Sequence, residues 1–390
     1  MAGLYIHIPF CKQACHYCDF HFSTSLKNKK RIVDAICKEL VLRKGEISEE
    51  IQTVYLGGGT PSLLSETELN QIFEAIHQHF SVSKEAEITL EANPDDLVSV
   101  RALRQDSGQA PSRTIFETYK KTGINRLSIG VQSFFEEDLQ LMNRAHHVEE
   151  AIQSIEWAKE YFNNITIDLI YGMPNMSNER WFQNLEKAFE LEVPHISCYA
   201  LTVEPKTALK TFIEKGIISP VEDEVAQAHH QILVEETEKR GFVNYEFSNF
   251  GKPGFESQNN LAYWQGKSYL GVGPSAHSFH GKTRSWNVAN NVKYLKEMEQ
   301  NKLPLERETL SKKDRYNEYV MTRLRTMWGV NLIEIEELFG KKYKDYLLQQ
   351  AEIHFKNKFL FEENGQLKVS KKGKFLSDGI ASDLFLVNLD

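Results

Sequence analysis

The chain has no apolar run approaching the roughly 20 residues that cross a bilayer, and its mean hydropathy is −0.44. No membrane span is expected. The N-terminus passes from Met1 directly into the apolar Leu4-Tyr5-Ile6, without the basic stretch and cleavage site of a secretory signal, so a cytoplasmic location is expected. Neither sign of charge dominates: 46 Lys and Arg face 54 Asp and Glu, a net charge of −8, which supplies no general attraction to nucleic acid or anionic lipid. No internal repeat or low-complexity tract interrupts the 390 residues. Cysteine is scarce. There are five, and three of them fall within residues 11–18, a pattern that fits metal ligation in a reducing compartment rather than a disulfide framework. Cys37 and Cys198 lie in apolar settings and read as buried structural thiols.

What the chain does have is alternation. β-rich runs near residues 4–8, 53–56, 87–91, 126–131, 166–170 and 195–201 alternate with stretches of helical apolar spacing at 31–42, 66–80, 149–161 and 180–191. This predicts an α/β fold with a parallel sheet. Six strands predict a partial (β/α)6 barrel over residues 1–250. The polar segment 98–112, with Gly108 and Pro111, reads as a surface loop. Beyond residue 250 the alternation stops and Gly, Asn, Ser and aromatic residues gather as far as Trp286, so residues 251–304 are predicted to connect the domains and shape a substrate mouth. Over residues 305–390, helical stretches precede a segment whose Asn364-Gly365 pair marks a tight hairpin. A C-terminal, winged-helix-like α+β domain is expected there.

The chemistry begins after the first predicted strand, where Cys11, Cys15 and Cys18 are separated by three and then two residues. Thiolates so spaced can wrap one loop around three irons of a [4Fe-4S] cubane. The fourth iron then stays open to chelate the amino and carboxylate groups of S-adenosylmethionine (SAM), which places the sulfonium beside the cluster for one-electron cleavage. A structural zinc site completed by His16 or His21 is the rival reading. Further along, Gly57-Gly58-Gly59-Thr60-Pro61-Ser62 follows the second strand, where glycines permit close backbone approach to a ligand. Glu91, Gln132 and Asp168 lie at or near strand ends, where a βα barrel gathers its ligand-binding groups. Each, taken alone, is equally a helix cap.

Together with Glu91-Ala92-Asn93-Pro94, Gly130-Val131-Gln132-Ser133-Phe134, Asn143-Arg144 and Ile167-Asp168-Leu169-Ile170-Tyr171-Gly172, these motifs resemble the radical SAM proteins related to oxygen-independent coproporphyrinogen III oxidase, over nearly the whole chain. The resemblance implies that Cys11, Cys15 and Cys18 bind the cluster. It also implies that Tyr5, Tyr17, Gly58, Gly59, Thr60, Glu91, Gln132, Arg144 and Asp168 contact SAM, with Arg144 suited to its carboxylate through a bidentate contact.

Two departures bear on the branch of this family. The oxidase carries a fourth cysteine two residues after the third, and here that position is Phe20. The Cys-x-Tyr-Cys-Asp-Phe pattern resembles instead the HemW heme chaperones, which bind heme and pass it to acceptor proteins. That branch usually shows His-Asn-x-x-Tyr-Trp, whereas this chain reads Asn259-Asn260-Leu261-Ala262-Tyr263-Trp264. An amide is a poor axial ligand where imidazole is a common one. His146, His147, His277 and His280 are the other candidate ligands, and Tyr263 with Trp264 offers a flat stacking surface. The pairs His146-His147 and His229-His230 are weak as metal sites, because helical neighbours point apart. Gly273 and Ser275 are candidate pocket residues or parts of a tight turn. The expected function is heme carriage, with heme as cargo and with acceptor protein and electron donor unidentified. No residue is assigned a catalytic role. The alternative is oxidative decarboxylation of coproporphyrinogen III.

Overall fold

A computed structural model describes residues 2–98 and 113–387; beyond Val98, the loop expected at 98–112 lies outside them. Six strands run parallel and side by side in chain order: β1 (Ala2–Ile8), β2 (Ile51–Gly58), β3 (Val82–Ala92), β4 (Arg126–Gln132), β5 (Asn164–Tyr171) and β6 (His195–Ala200). Their near-continuous burial is that of a parallel sheet covered by helices. Those helices include Lys29–Arg43, Glu66–His79, Val148–Lys159 and Asn178–Glu190. Glu66–His79 shows how local sequence starts each one: Ser65 and Glu68 form a reciprocal capping box, and Leu69, Ile72, Phe73 and Ile76 form the buried stripe that docks the helix.

The barrel strands are the centre of a wider sheet. β7 (Val243–Glu246) and β8 (Asn249–Gly251) extend it antiparallel beyond β6. On the opposite edge β9 (Ser268–Val272) pairs parallel with β1, and β10 (His277–His280), β11 (Thr283–Asn287) and β12 (Leu305–Thr309) continue as an antiparallel meander. The region in which alternation ceases thus supplies four strands of a twelve-stranded sheet. These strands are short, and their fit depends on distant partners. A Cβ on Gly271 of β9 would fall 2.0 Å from the His277 carbonyl oxygen, so β9 meets β10 only as bare backbone.

A buried ionic node fixes that edge to the barrel. Arg43 and Glu39, on one face of the first helix and both within 1% of full burial, pair at 2.8 Å. Arg43 also donates to Gly271 O and Ser278 Oγ. Glu39 accepts from Gly273 N, Asn287 Nδ2 and Tyr294 OH.

Residues from Tyr316 to Leu386 pack around a second hydrophobic cluster. Helices Lys312–Leu324, Leu332–Phe339 and Lys341–Lys356 surround a small sheet of β13 (Val330–Asn331), β15 (Gln366–Val369) and β14 (Leu360–Glu363). Asn364 and Gly365 have φ of 52° and 73°, as a two-residue hairpin turn between paired Glu363 and Gln366 requires.

Because Glu39→Ala takes away the buried partner of Arg43, leaving it only the part-exposed Glu46, and strips Gly273 N, Asn287 and Tyr294 of their acceptor, it is expected to destabilise the chain by about 3 kcal/mol. Denaturant unfolding measures this, and a loss below about 1 kcal/mol would show that the node does not hold the two halves of the sheet together.

Candidate functional site

Parallel strands bring their C-terminal ends to one mouth. The loop that carries the three thiols leaves β1 there. Its two arms are tied by Cys11 N to Ser23 O at 3.1 Å and Ser23 N to Pro9 O at 3.0 Å. Its far side is stapled to residues 141–144: His16 N donates to Met142 O, Gln13 Nε2 to Asn143 Oδ1, and Asn143 Nδ2 to Ala14 O at 2.7 Å.

Arg144 closes this attachment. Its Nη1 donates to Cys15 Sγ at 3.4 Å, while Nη2 donates to Asn93 Oδ1 at 2.7 Å and Gly130 O at 2.8 Å. Tyr17 lies beside the same guanidinium and beside Cys15. Both terminal nitrogens of Arg144 are therefore engaged by the loop and the strand ends. Burial raises the thiol pKa values of Cys11 and Cys18, the latter to about 12, and each of the two also feels Cys15.

Thiols so placed stay protonated until a cation takes them, and metal binding releases those protons. Among the described residues no three His, Cys, Asp or Glu side chains converge on a single ion position. A cubane makes no such demand, since each thiolate takes a different iron corner. The donor set fits that group: three soft ligands on one pinned loop, with a guanidinium against the middle one.

The glycine run packs against this loop. Gly58 has φ of 108°, and a Cβ there would meet the His7 ring at 2.4 Å; one on Gly59 would meet Phe10 O at 2.6 Å. Gly59 N donates to Ile8 O. Thr60 follows, buried, its hydroxyl accepting from Asn93 Nδ2 and supporting Cys11. Gln132 ends β4 in the left-handed region at φ 68°, a conformation that costs a non-glycine residue on the order of 1–3 kcal/mol.

Inside the barrel Glu91 accepts from Tyr55 OH at 2.8 Å and Gly58 N at 3.0 Å. Burial, reinforced by repulsion from Asp168, raises its pKa to about 7. Burial likewise raises Asp168 to about 6, against the pull of Arg126 and hydrogen bonds from Ser197 and Ser128. Tyr5 turns its hydroxyl to His7 Nδ1 at 3.1 Å.

Beside the mouth lies a cavity of about 660 Å³, in the gap between the β9–β1 edge and the β6–β8 edge. Tyr5, His7, Asp19, Phe20 and His21 line one side, Tyr199 and Asn249 another, and the helix Gln258–Trp264 supplies Asn259, Tyr263 and Trp264. Ser275 and His277 border it, whereas Gly273, φ 102°, packs against the His7 backbone. Asn259 is held at its helix start, its amide donating to Glu87 Oε1 and its side-chain oxygen accepting from Thr53.

The remaining histidines lie elsewhere. His146 is buried against Val131 O, His147 faces Glu136, His229 accepts from Gly172 N, and His280 lines a separate recess with Arg307. Sequence reasoning passed over His7, weighed His21 only as a zinc ligand, and did not place Phe20 on a cavity wall. A signal was there for His7, which alternates with Tyr5 on one face of β1.

A sequence model of the Radical SAM superfamily matches residues 5–188, and one of the HemN C-terminal domain matches residues 310–376. The heme chaperone HemW of Lactococcus lactis is 32% identical over 390 residues, covering 99% of this chain and 98% of that one. The chain belongs to the HemW family. A second HemW, from Bacillus subtilis, is 32% identical over 87% of this chain and 88% of its own. The fold of coproporphyrinogen III oxidase (HemN) from Escherichia coli superposes with a TM-score of 0.83 at 23% identity, covering 98% of this chain and 90% of that one. The partial barrel with its C-terminal α+β domain is thus shared between this chain and that oxidase fold.

A carboxyl with a raised pKa in the fold favours the folded state below its ordinary pKa of 4.5 and loses that contribution as pH rises through about 7. Relative to Glu91→Gln, the cluster-free parent is therefore expected to gain stability between pH 8 and pH 5, on the order of 3 kcal/mol. Parallel melting curves of the two proteins across that range check this, and a constant difference would show that Glu91 titrates normally.

Proposed function

We propose that this chain binds one [4Fe-4S] cluster through Cys11, Cys15 and Cys18, takes SAM at the same mouth, and carries heme in the adjoining cavity for delivery to an acceptor protein in the cytoplasm. The observation that carries the reading is continuity. Asp19, Phe20 and His21, which immediately follow Cys18, form part of the cavity wall. The cavity is of the size that small-molecule sites occupy and is walled by the aromatic rings of Phe20, Tyr199, Tyr263, Trp264 and Tyr269. Such rings suit a flat conjugated ligand.

When bound, a cluster with one open iron supplies an electron to the SAM sulfonium. The residues around it have separable tasks. Arg144, with Tyr17 beside it, positions the cysteine loop; Gly58, Gly59 and Thr60 set the backbone under it. Tyr5, Glu91, Gln132 and Asp168 present polar groups from four strands, β1, β3, β4 and β5, toward SAM. Glu91 and Asp168, partly protonated near neutrality, would be drawn toward ionisation by a cationic ligand. No helix among the described residues is long and apolar enough to cross a membrane, so delivery to a membrane-bound acceptor would rest on contact with that acceptor.

The oxidase alternative is disfavoured by Phe20, a 69%-exposed phenyl ring at the cavity where that branch carries a cysteine. Anaerobic reconstitution with iron and sulfide, followed by heme titration and a coproporphyrinogen III decarboxylation assay with SAM and a strong reductant, separates the readings. Stoichiometric heme uptake without decarboxylation is expected, and turnover would overturn the carrier reading. Cys15→Ala is expected to lose most of the iron and the broad brown absorbance; full iron retention would remove the cluster from this loop.

A further inference from the structure

The cavity wall holds three histidines among the described residues, His7, His21 and His277. Only His277 has both ring nitrogens free of hydrogen bonds. His7 is 5% exposed, with Nδ1 bonded to Tyr5 OH and Nε2 to His21 O. His21 gives its Nε2 to Asn291 Oδ1 at 2.8 Å. His277 is exposed, its ring lies over Trp286 at 6.2 Å, and neither of its nitrogens is engaged in a hydrogen bond.

The backbone of His277 is also firmly set. It pairs with Trp286 across β10 and β11, and its carbonyl lies against Gly271, which is itself bonded to Arg43 and Ser278 of the buried node. A ligand on so rigid a strand is preorganised. Lys267, elsewhere on the cavity rim, pairs with no carboxylate among the described residues and offers a cation to a carboxylate-bearing ligand. Partial desolvation at the cavity wall and the nearby Arg284 lower the pKa of His277, which favours the neutral ring. Neutral imidazole is the form that binds iron.

We propose that His277 supplies the axial nitrogen to the iron of heme in this cavity, the task that the family motif would give to an imidazole at position 259. This rests on the carrier reading above. Asn259 keeps its helix start in place and its amide turned to Thr53, so the cavity persists while the ligand comes from the facing strand.

The test uses hemin and iron-free protoporphyrin IX on the reconstituted full chain and on His277→Ala. The expected result is loss of the imidazole-ligated absorbance spectrum in His277→Ala and at least the roughly 10-fold weaker hemin binding that loss of even a supporting contact costs a metal site. Added free imidazole should restore the spectrum, and protoporphyrin affinity should not change, since that ring has no iron to ligate. An unchanged hemin spectrum and affinity would overturn the ligand assignment and leave the carrier reading standing. Equal loss of hemin and protoporphyrin binding would also overturn it, by giving His277 a purely structural part. A parent chain that takes up no hemin would remove the carrier reading, and this inference with it.

Discussion

One buried guanidinium organises the mouth. Burying a cation is costly unless its donors are satisfied, and Arg144 spends its terminal nitrogens on three separate elements: the turn after β3 through Asn93, the backbone of β4 through Gly130, and the cysteine loop through Cys15. None of the three can shift without stranding that charge. Arg144 Nε is left without a partner, which marks how little slack the arrangement has.

The cavity follows from the same constraint at one remove. With the loop pinned, the residues after Cys18 must pass over the open seam of the partial barrel, and Phe20 and His21 become its wall. The opposite wall depends on a second polar anchor deep in the barrel, where Glu87 accepts from the amides of Gln258 and Asn259 and so seats the helix that carries Tyr263 and Trp264. The third wall is set from outside by the Glu39–Arg43 node, which fixes Gly271, Gly273 and Ser278. Three buried charged sites, Arg144, Glu87 and the Glu39–Arg43 pair, each bonded in part to backbone, thus hold a largely aromatic pocket. Several of its rings remain exposed: Phe20, Tyr199 and Tyr263.

How much of this was legible in the sequence depends on whether the cause was local. The six barrel strands and their helices were readable because apolar runs and capping residues such as Ser65 act within a few positions. The cysteine loop was readable because ligand spacing is itself a short-range property. The Asn364-Gly365 hairpin was readable because two positive φ angles in succession leave few alternatives. What was not readable depends on partners far away in the chain. β9 to β12 are short, and β10 to β12 largely polar, and they exist as strands because β1 and the Glu39–Arg43 node receive them. The strained φ of Gln132 and the ring-to-glycine contact between His7 and Gly58 are likewise products of packing, with no periodicity to announce them.

The departure at Asn259 shows how binding and scaffolding divide. Here the helix is in place, with Ser257 capping it and Glu87 holding its first amides, while its cavity-lining second residue is an amide and not an imidazole. Tyr263 and Trp264 stay on the cavity wall. For a flat ligand, most binding energy comes from the apolar area covered rather than from one coordination bond, so losing the helix ligand costs orientation more than capture. A carrier must also release what it holds, and affinity differences are expressed chiefly in the dissociation rate. An exposed histidine on an edge-side strand is open to replacement by an acceptor's own ligand in a way that a buried one, such as His7 with both nitrogens bonded, is not.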